Sequence, residues 1–254
     1  MTEIALTLSI FAALVTAAFG ARRASARMKA HHVSKETNAV VRLVAGLFVV
    51  MTSLVFGLLI NSSRTGFEAL GSQVQSYAAH LILLDRTLAA RGSDTDKARQ
   101  LLADYVQAAI DDPARVQQDE ALRSYRAEDR LAAVYQAFSA IPPSDDRGRS
   151  LLDDASRQYR QIIEQRWTII EAGQGRLPFQ MTLMLAGWLV LIFASFGYRA
   201  PCNAVIDLTF VSAAGLIAGS LYLVLDMNVP FSGPMQISDL PLRQALAELR
   251  RTLP

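Results

Sequence analysis

The residues with chemical reach are few, and their spacing suits catalysis poorly. The chain has three histidines, His31, His32 and His80, and one cysteine, Cys202. His31 and His32 are neighbours, about 100° apart on a helix, so they cannot form the i, i+4 face that holds a zinc ion. A single cysteine excludes an intrachain disulfide and a multi-cysteine metal site. The sequence contains neither a glycine-rich phosphate loop nor a nucleophile elbow. His31 and His32 sit in a basic loop and read as solvated, while His80 reads as a packing residue on a helix. The expectation is no catalytic residue, no metal, no cofactor and no enzyme activity.

A different constellation does share a face. Gly46, Val50, Ser53, Gly57, Asn61, Arg64, Glu68 and Gly71 follow one another at three- and four-residue steps, one stripe of a helix. Small residues let helices approach closely in lipid, so the stripe can be a packing seam. It can equally be a pore-lining face, with Leu54 and Leu58 as a hydrophobic constriction and Asn61 and Arg64 at its mouth. The pore-lining candidates are Val50, Ser53, Leu54, Gly57, Leu58, Asn61 and Arg64. Both readings remain open on these residues alone.

The elements that carry this stripe are set by charge. Ile4–Ala21, Leu43–Ser63, Leu177–Tyr198 and Leu208–Leu225 contain no Asp, Glu, Lys or Arg, and each has at least 18 residues. A helix needs about 20 apolar residues to cross about 30 Å of hydrocarbon, and peptide groups in lipid must be paired internally. Four membrane-spanning helices are expected. The first has Glu3 and no basic residue before it, with its positive cluster after it, so it reads as a retained span rather than a signal peptide. Asp207 and Asp226 bracket the last span and read as boundary markers.

Between the second and third spans lies a polar block. From Arg64 to Arg176 it holds 15 Lys/Arg against 17 Asp/Glu, which leaves no basic face for nucleic acid. Its apolar positions have helical spacing throughout. Val74, Tyr77, Ala78, Leu81, Leu84 and Leu88 extend the second span as one long helix, stopped at Arg91-Gly92-Ser93-Asp94. Further helices are expected near Asp94–Asp111, from Asp112-Pro113 to a break at Pro142-Pro143, and over Asp145–Gly173, with Gly173–Pro178 as a hinge. Asp85 and Arg86 read as a charge pair on the long helix. After the last span, Asp226 to Pro234 reads as non-helical, and Ser238 or Asp239 caps a final helix with Pro241 in its first turn.

The domain reading is therefore residues 1–63 as two spans with a basic loop and 64–176 as an extramembrane helical block. Residues 177–226 form two further spans, and 227–254 a turn and short helix packed on the block. The fold class is an all-α membrane protein.

Several of these segments resemble the bestrophin-like family of bacterial membrane proteins: VVRLVAGLFVV, SLVFGLLINSS and LILLDRTL, then FGYRAPCNA and LVLDMNVPFSGPMQISDLPLRQAL. Bestrophins follow their last span with a Pro-Phe-Gly turn, and bacterial ones with Asp-Leu-Pro-Leu. The matching elements here are Pro230-Phe231-Ser232-Gly233 and Asp239-Leu240-Pro241-Leu242, so Pro230, Phe231, Gly233, Asp239 and Pro241 form a C-terminal motif. The resemblance implies a pentameric ion channel in the bacterial inner membrane, lined by its second spans. Its partners would be the lipid bilayer, further copies of itself and permeating ions, with anions favoured. The chain departs from the pattern in two places. After Phe231 only Asp239 and Glu248 are acidic, so the calcium clasp of animal bestrophins is missing. The aromatic-rich neck is replaced by Val, Leu and Gly.

Topology is the point of conflict. Arg22, Arg23, Arg27, Lys29, Lys35 and Arg42 against Glu36 place the first loop in the cytoplasm and the helical block outside it. The resemblance implies the reverse. The competing reading of the whole chain is a membrane-anchored helical scaffold or sensor that conducts nothing.

Overall fold

The computed structural model describes residues 2–27, 35–111, 120–143, 145–173, 179–198, 200–231 and 233–253. Among these residues the chain is helical, without a strand: α1 (Thr2–Ser25), α2 (Lys35–Arg91), α3 (Asp96–Asp111), α4 (Glu120–Ser139), α5 (Asp146–Gly173), α6 (Phe179–Gly197), α7 (Ala204–Met227) and α8 (Leu240–Thr252). A 3₁₀ turn, Ser93–Thr95, joins α2 to α3. The structure forms two units. One takes Met1–Gly66 and Arg176–Val229, the other Phe67–Gly175 and Pro230–Pro254.

In the first unit α1, α6, α7 and the early part of α2 are long and apolar enough to cross a membrane. The protein is thus a multi-pass membrane protein. Helix α1 packs on α6 and α7, with Leu14, Leu185 and Leu221 buried between them. The α1–α6 crossing is close because Gly197 has no side chain: a Cβ there would lie 2.8 Å from the Ala18 Cα. Small residues at such crossings bring backbones together where lipid supplies no hydrophobic drive. The hydroxyls of Thr16, Ser53, Ser195, Thr209 and Ser220 each donate to the carbonyl four residues back. That satisfies them inside their own helix, as hydrocarbon demands.

The N-terminus of α7 is capped by Asn203, whose side chain accepts from the Val205 amide at 3.1 Å. Just inside α7, Asp207 pairs with Arg22 at the end of α1. The helix runs on through Met227, so Asp226, expected in a turn, is a helical residue only 4 % exposed. Leu221 and Val224 nearby are buried as well, and the helix ends two residues after the uncharged run that reaches Leu225.

The second unit is built around an apolar core contributed by several helices. Leu81, Leu84 and Leu88 of α2 bury against Leu102 and Val106 of α3, Leu131, Val134 and Phe138 of α4, and Ala155 and Ile162 of α5. Helix α2 ends at Gly92, whose φ of 113° excludes most side chains. Thr95 then ties the turn back, its hydroxyl donating to the Leu88 carbonyl at 2.7 Å. Helix α8 lies against α3 and contributes Ala245, Leu246 and Leu249 to the buried set. The expected helix start at Asp112-Pro113 lies outside the described residues, as do His31, His32, Lys29, Arg199, Ser232 and most of the Gly173–Pro178 hinge.

Candidate functional site

In the first unit α2 has two unlike faces. Ala45, Thr52, Leu59 and Ser63 are buried, and Val55 and Phe56 pack against the same core. The opposite face carries Val50, Ser53, Leu54, Gly57, Leu58, Asn61 and Arg64, and all seven are exposed. Leu54 and Leu58 are 65 % and 62 % exposed. At about 100° per residue these seven cover less than half the helix circumference. The stripe is mixed in character, with two small or hydroxyl positions, three aliphatic ones, an amide and a guanidinium. Gly57 has open space around it, so among the described residues nothing packs on the stripe at that point.

The buried face is polar at its end near the unit boundary. Ser63 accepts from the Asn228 amide at 3.1 Å, and Asn228 also donates to the Val224 carbonyl at 2.6 Å. Higher up, the Thr52 hydroxyl is buried with no hydrogen-bond partner.

The C-terminal motif lies wholly in the second unit. Pro230 is buried, and its carbonyl accepts the Ile237 amide at 2.9 Å, which closes the segment into a loop. Phe231 lies so close to the end of α5 that a Cβ at Gly173 would stand 3.0 Å from its ring. Gly233 turns the loop at a φ of 103°. Pro241 occupies the first turn of α8, while Asp239 is the N-cap residue without a side-chain cap bond. Its carboxylate instead accepts from Arg243 at 2.8 Å, and that guanidinium holds Asp239 below the usual carboxylate range. Ser238 supplies the side-chain contact, its hydroxyl accepting from the Leu240 amide at 3.2 Å. Leu240 itself is 58 % exposed, contrary to its apolar character.

The charge pair expected between Asp85 and Arg86 does not exist. Asp85 is 1 % exposed and receives Arg99 Nε at 2.8 Å and Arg99 Nη2 at 3.3 Å. The same guanidinium donates to the carbonyl and hydroxyl of Thr252 at 2.8 Å each, and the Thr252 hydroxyl reaches Asp85 Oδ2 at 3.0 Å. A buried cation thus satisfies the last carbonyl of α8, that of Thr252. Arg86 points elsewhere and meets Glu248 of α8 at 3.3 Å. The signal was present in the sequence: Asp85 stands in phase with Leu81, Leu84 and Leu88, so it had to be buried and needed a buried cation. Only folding could identify Arg99 as that cation.

In the same core the Tyr77 and Tyr105 hydroxyls lie 2.5 Å apart, and burial raises the Tyr105 pKa. His80, expected to pack, places Nδ1 2.8 Å from the Ser76 carbonyl in its own helix. Among the described residues no three of His, Cys, Asp and Glu come together.

The family model of the bestrophin-like domain matches residues 11–242. No curated protein and no solved structure matches the chain.

Proposed function

Because the chain belongs to the bestrophin-like family, we propose that several copies, five by resemblance, surround a common axis and form an ion channel with α2 facing the axis. The observation that carries this is the pair of unlike faces on α2. One face is buried in its own unit, and the other, with Val50, Ser53, Leu54, Gly57, Leu58, Asn61 and Arg64, is exposed. Closed rings are the usual form of such assemblies. Around an axis Leu54 and Leu58 would narrow the path, and Asn61 and Arg64 would give its end polar character. The division into residues 1–63, 64–176, 177–226 and 227–254 then gives a conduit in the bacterial inner membrane, a helical extension and a C-terminal clasp. The chain in this reading is a channel and not an enzyme.

Cysteine substitution tests it. Cysteines at Val50, Ser53, Gly57 and Asn61, in a Cys202→Ser background, are expected to react with water-soluble thiol reagents and to reduce currents in planar bilayers. Cysteines at Thr52 or Phe56 are expected to stay protected. Uniform protection along α2, or reaction without change in current, would favour the scaffold reading.

A further inference from the structure

We propose that Arg86 and Glu248 form an ion-specificity element, in which Arg86 supplies the charge that favours anions and Glu248 sets how strongly it is felt. The inference rests on the channel reading above and adds the residues that would set its selectivity.

In the second unit the exposed face of α2 carries Glu68, Ser72, Gln75, Ala79, Leu83 and Arg86, again at three- and four-residue steps. Arg86 is the one cationic side chain among these six and is 65 % exposed, and Glu68 stands 18 residues away, about 27 Å along the helix and beyond the screening length. Its sequence neighbour Asp85 cannot offset it, because that carboxylate is turned inward and engaged by Arg99 and Thr252. The compensating charge comes from α8 instead. Glu248 lies 3.3 Å from Arg86 and 2.8 Å from Arg251. One carboxylate is therefore shared by two guanidiniums, and a positive charge is left over at this cluster in each copy.

Glu248 is not on a loose tail. Leu249 and Ala245, on either side of it, are fully buried. One turn later Thr252 is held by the buried Arg99–Asp85 pair. Arg99 itself is 4 % exposed and cannot follow α8 into solvent without stranding Asp85. The anchor at Thr252 thus positions Glu248 against Arg86. Repeated around an axis, the surplus of Arg86 and Arg251 over Glu248 would raise the local concentration of anions and lower that of cations. The effect is screened over about 8–10 Å in physiological salt, so it acts only on ions passing close to the face.

The test uses the full chain in planar bilayers under a KCl gradient, with the chloride-to-potassium permeability ratio as the readout. Arg86→Glu is expected to lower the ratio at least about threefold, and Glu248→Gln to raise it about twofold, the range of exposed, screened charges. Arg86→Lys keeps the charge and is expected to keep the wild-type ratio. Conducting variants with an unchanged ratio in both Arg86→Glu and Glu248→Gln would overturn the inference while leaving the channel reading intact. So would an Arg86→Lys ratio that moves as far as that of Arg86→Glu, since charge would then not be the cause. If Arg86→Glu fails to assemble by size-exclusion chromatography, Glu248→Gln against wild type decides alone. A silent wild-type protein would remove the channel reading, and this inference with it.

Discussion

The two units of this protein expose very different amounts of apolar surface, and their interiors differ as well. More than twenty large apolar side chains of the first unit are exposed, among them Leu43 at 77 % and Leu216 at 74 %, whereas in the second only Leu83, Tyr135, Trp167 and Leu240 of the described residues are. The first unit holds its crossings with small residues such as Ala18 and Gly197 and returns its hydroxyls to their own helices. The second buries whole layers of Leu, Val and Phe. It also spends polar groups inside its core, joining Asp85 to Arg99 and Tyr77 to Tyr105. Where water surrounds a bundle, hydrophobic burial drives it together and can carry a buried ion pair. Where lipid surrounds it, close backbone contact takes over.

Removing the buried cation strikes this difference hardest. Arg99→Ala strands Asp85 in the core and is expected to destabilise the second unit by about 3–5 kcal/mol. The double variant Arg99→Met, Asp85→Leu is expected to recover most of that loss. Denaturant unfolding in detergent measures both; if the single variant loses less than about 1 kcal/mol, the pair is not truly excluded from water.

Core truncation comes next, and here the two units separate cleanly. Leu102→Ala, fully buried in α3, should cost about 2–5 kcal/mol through lost transfer and an unfilled cavity. Leu43→Ala in α2 should change stability by no more than about 0.5 kcal/mol, because its side chain is mostly exposed. Equal losses at both sites would mean that Leu43 is covered in the assembled protein.

Gly197→Ala probes the lipid-side packing. A methyl group driven into the Ala18 backbone is expected to cost about 1–3 kcal/mol, seen as a lower melting temperature at unchanged membrane insertion. The same addition at Gly187, where nothing lies within 4 Å, should be neutral. Tyr105→Phe is smaller again: it leaves the Tyr77 hydroxyl buried without its partner and should cost about 1–2 kcal/mol.

The smallest expected effect is electrostatic. Arg243 depresses the Asp239 pKa, so the folded state binds this proton less readily than the unfolded state. Its contribution is complete above the unfolded value of about 3.9 and is lost as pH falls through the lower folded value. The carboxylate is 38 % exposed, and Asp239→Asn should shift the melting temperature by no more than about 2 °C at neutral pH. The shift should vanish near pH 2; one that grows on acidification would contradict the assignment.

Much of this was legible in residue order. The uncharged runs dictate the spanning helices, because hydrocarbon excludes both charge and unpaired peptide groups. The three-four spacing from Val74 to Leu88 dictates that α2 continues to Arg91. The PFSG and DLPL motifs, together with the span sequences, pointed to the family before any coordinate. Local chemistry left a choice at one point and misled at another. Asp239 stands at the N-cap with Pro241 in the first turn, but a guanidinium four residues on engages its side chain, and Ser238 supplies the bond to the backbone. Asp85 and Arg86 look paired because they are adjacent, yet adjacent helical residues face different ways.

What sequence alone determined, then, is the all-helical class and which helices are apolar enough to cross a membrane, since hydropathy and periodicity are properties of short windows. Tertiary structure decided the partners. Arg99 lies 14 residues from Asp85 and Thr252 lies 167 from it, while Gly197 meets Ala18 across most of the chain. No window of sequence contains such pairs: they exist only when packing brings distant faces together, and burial then makes each partner's absence costly.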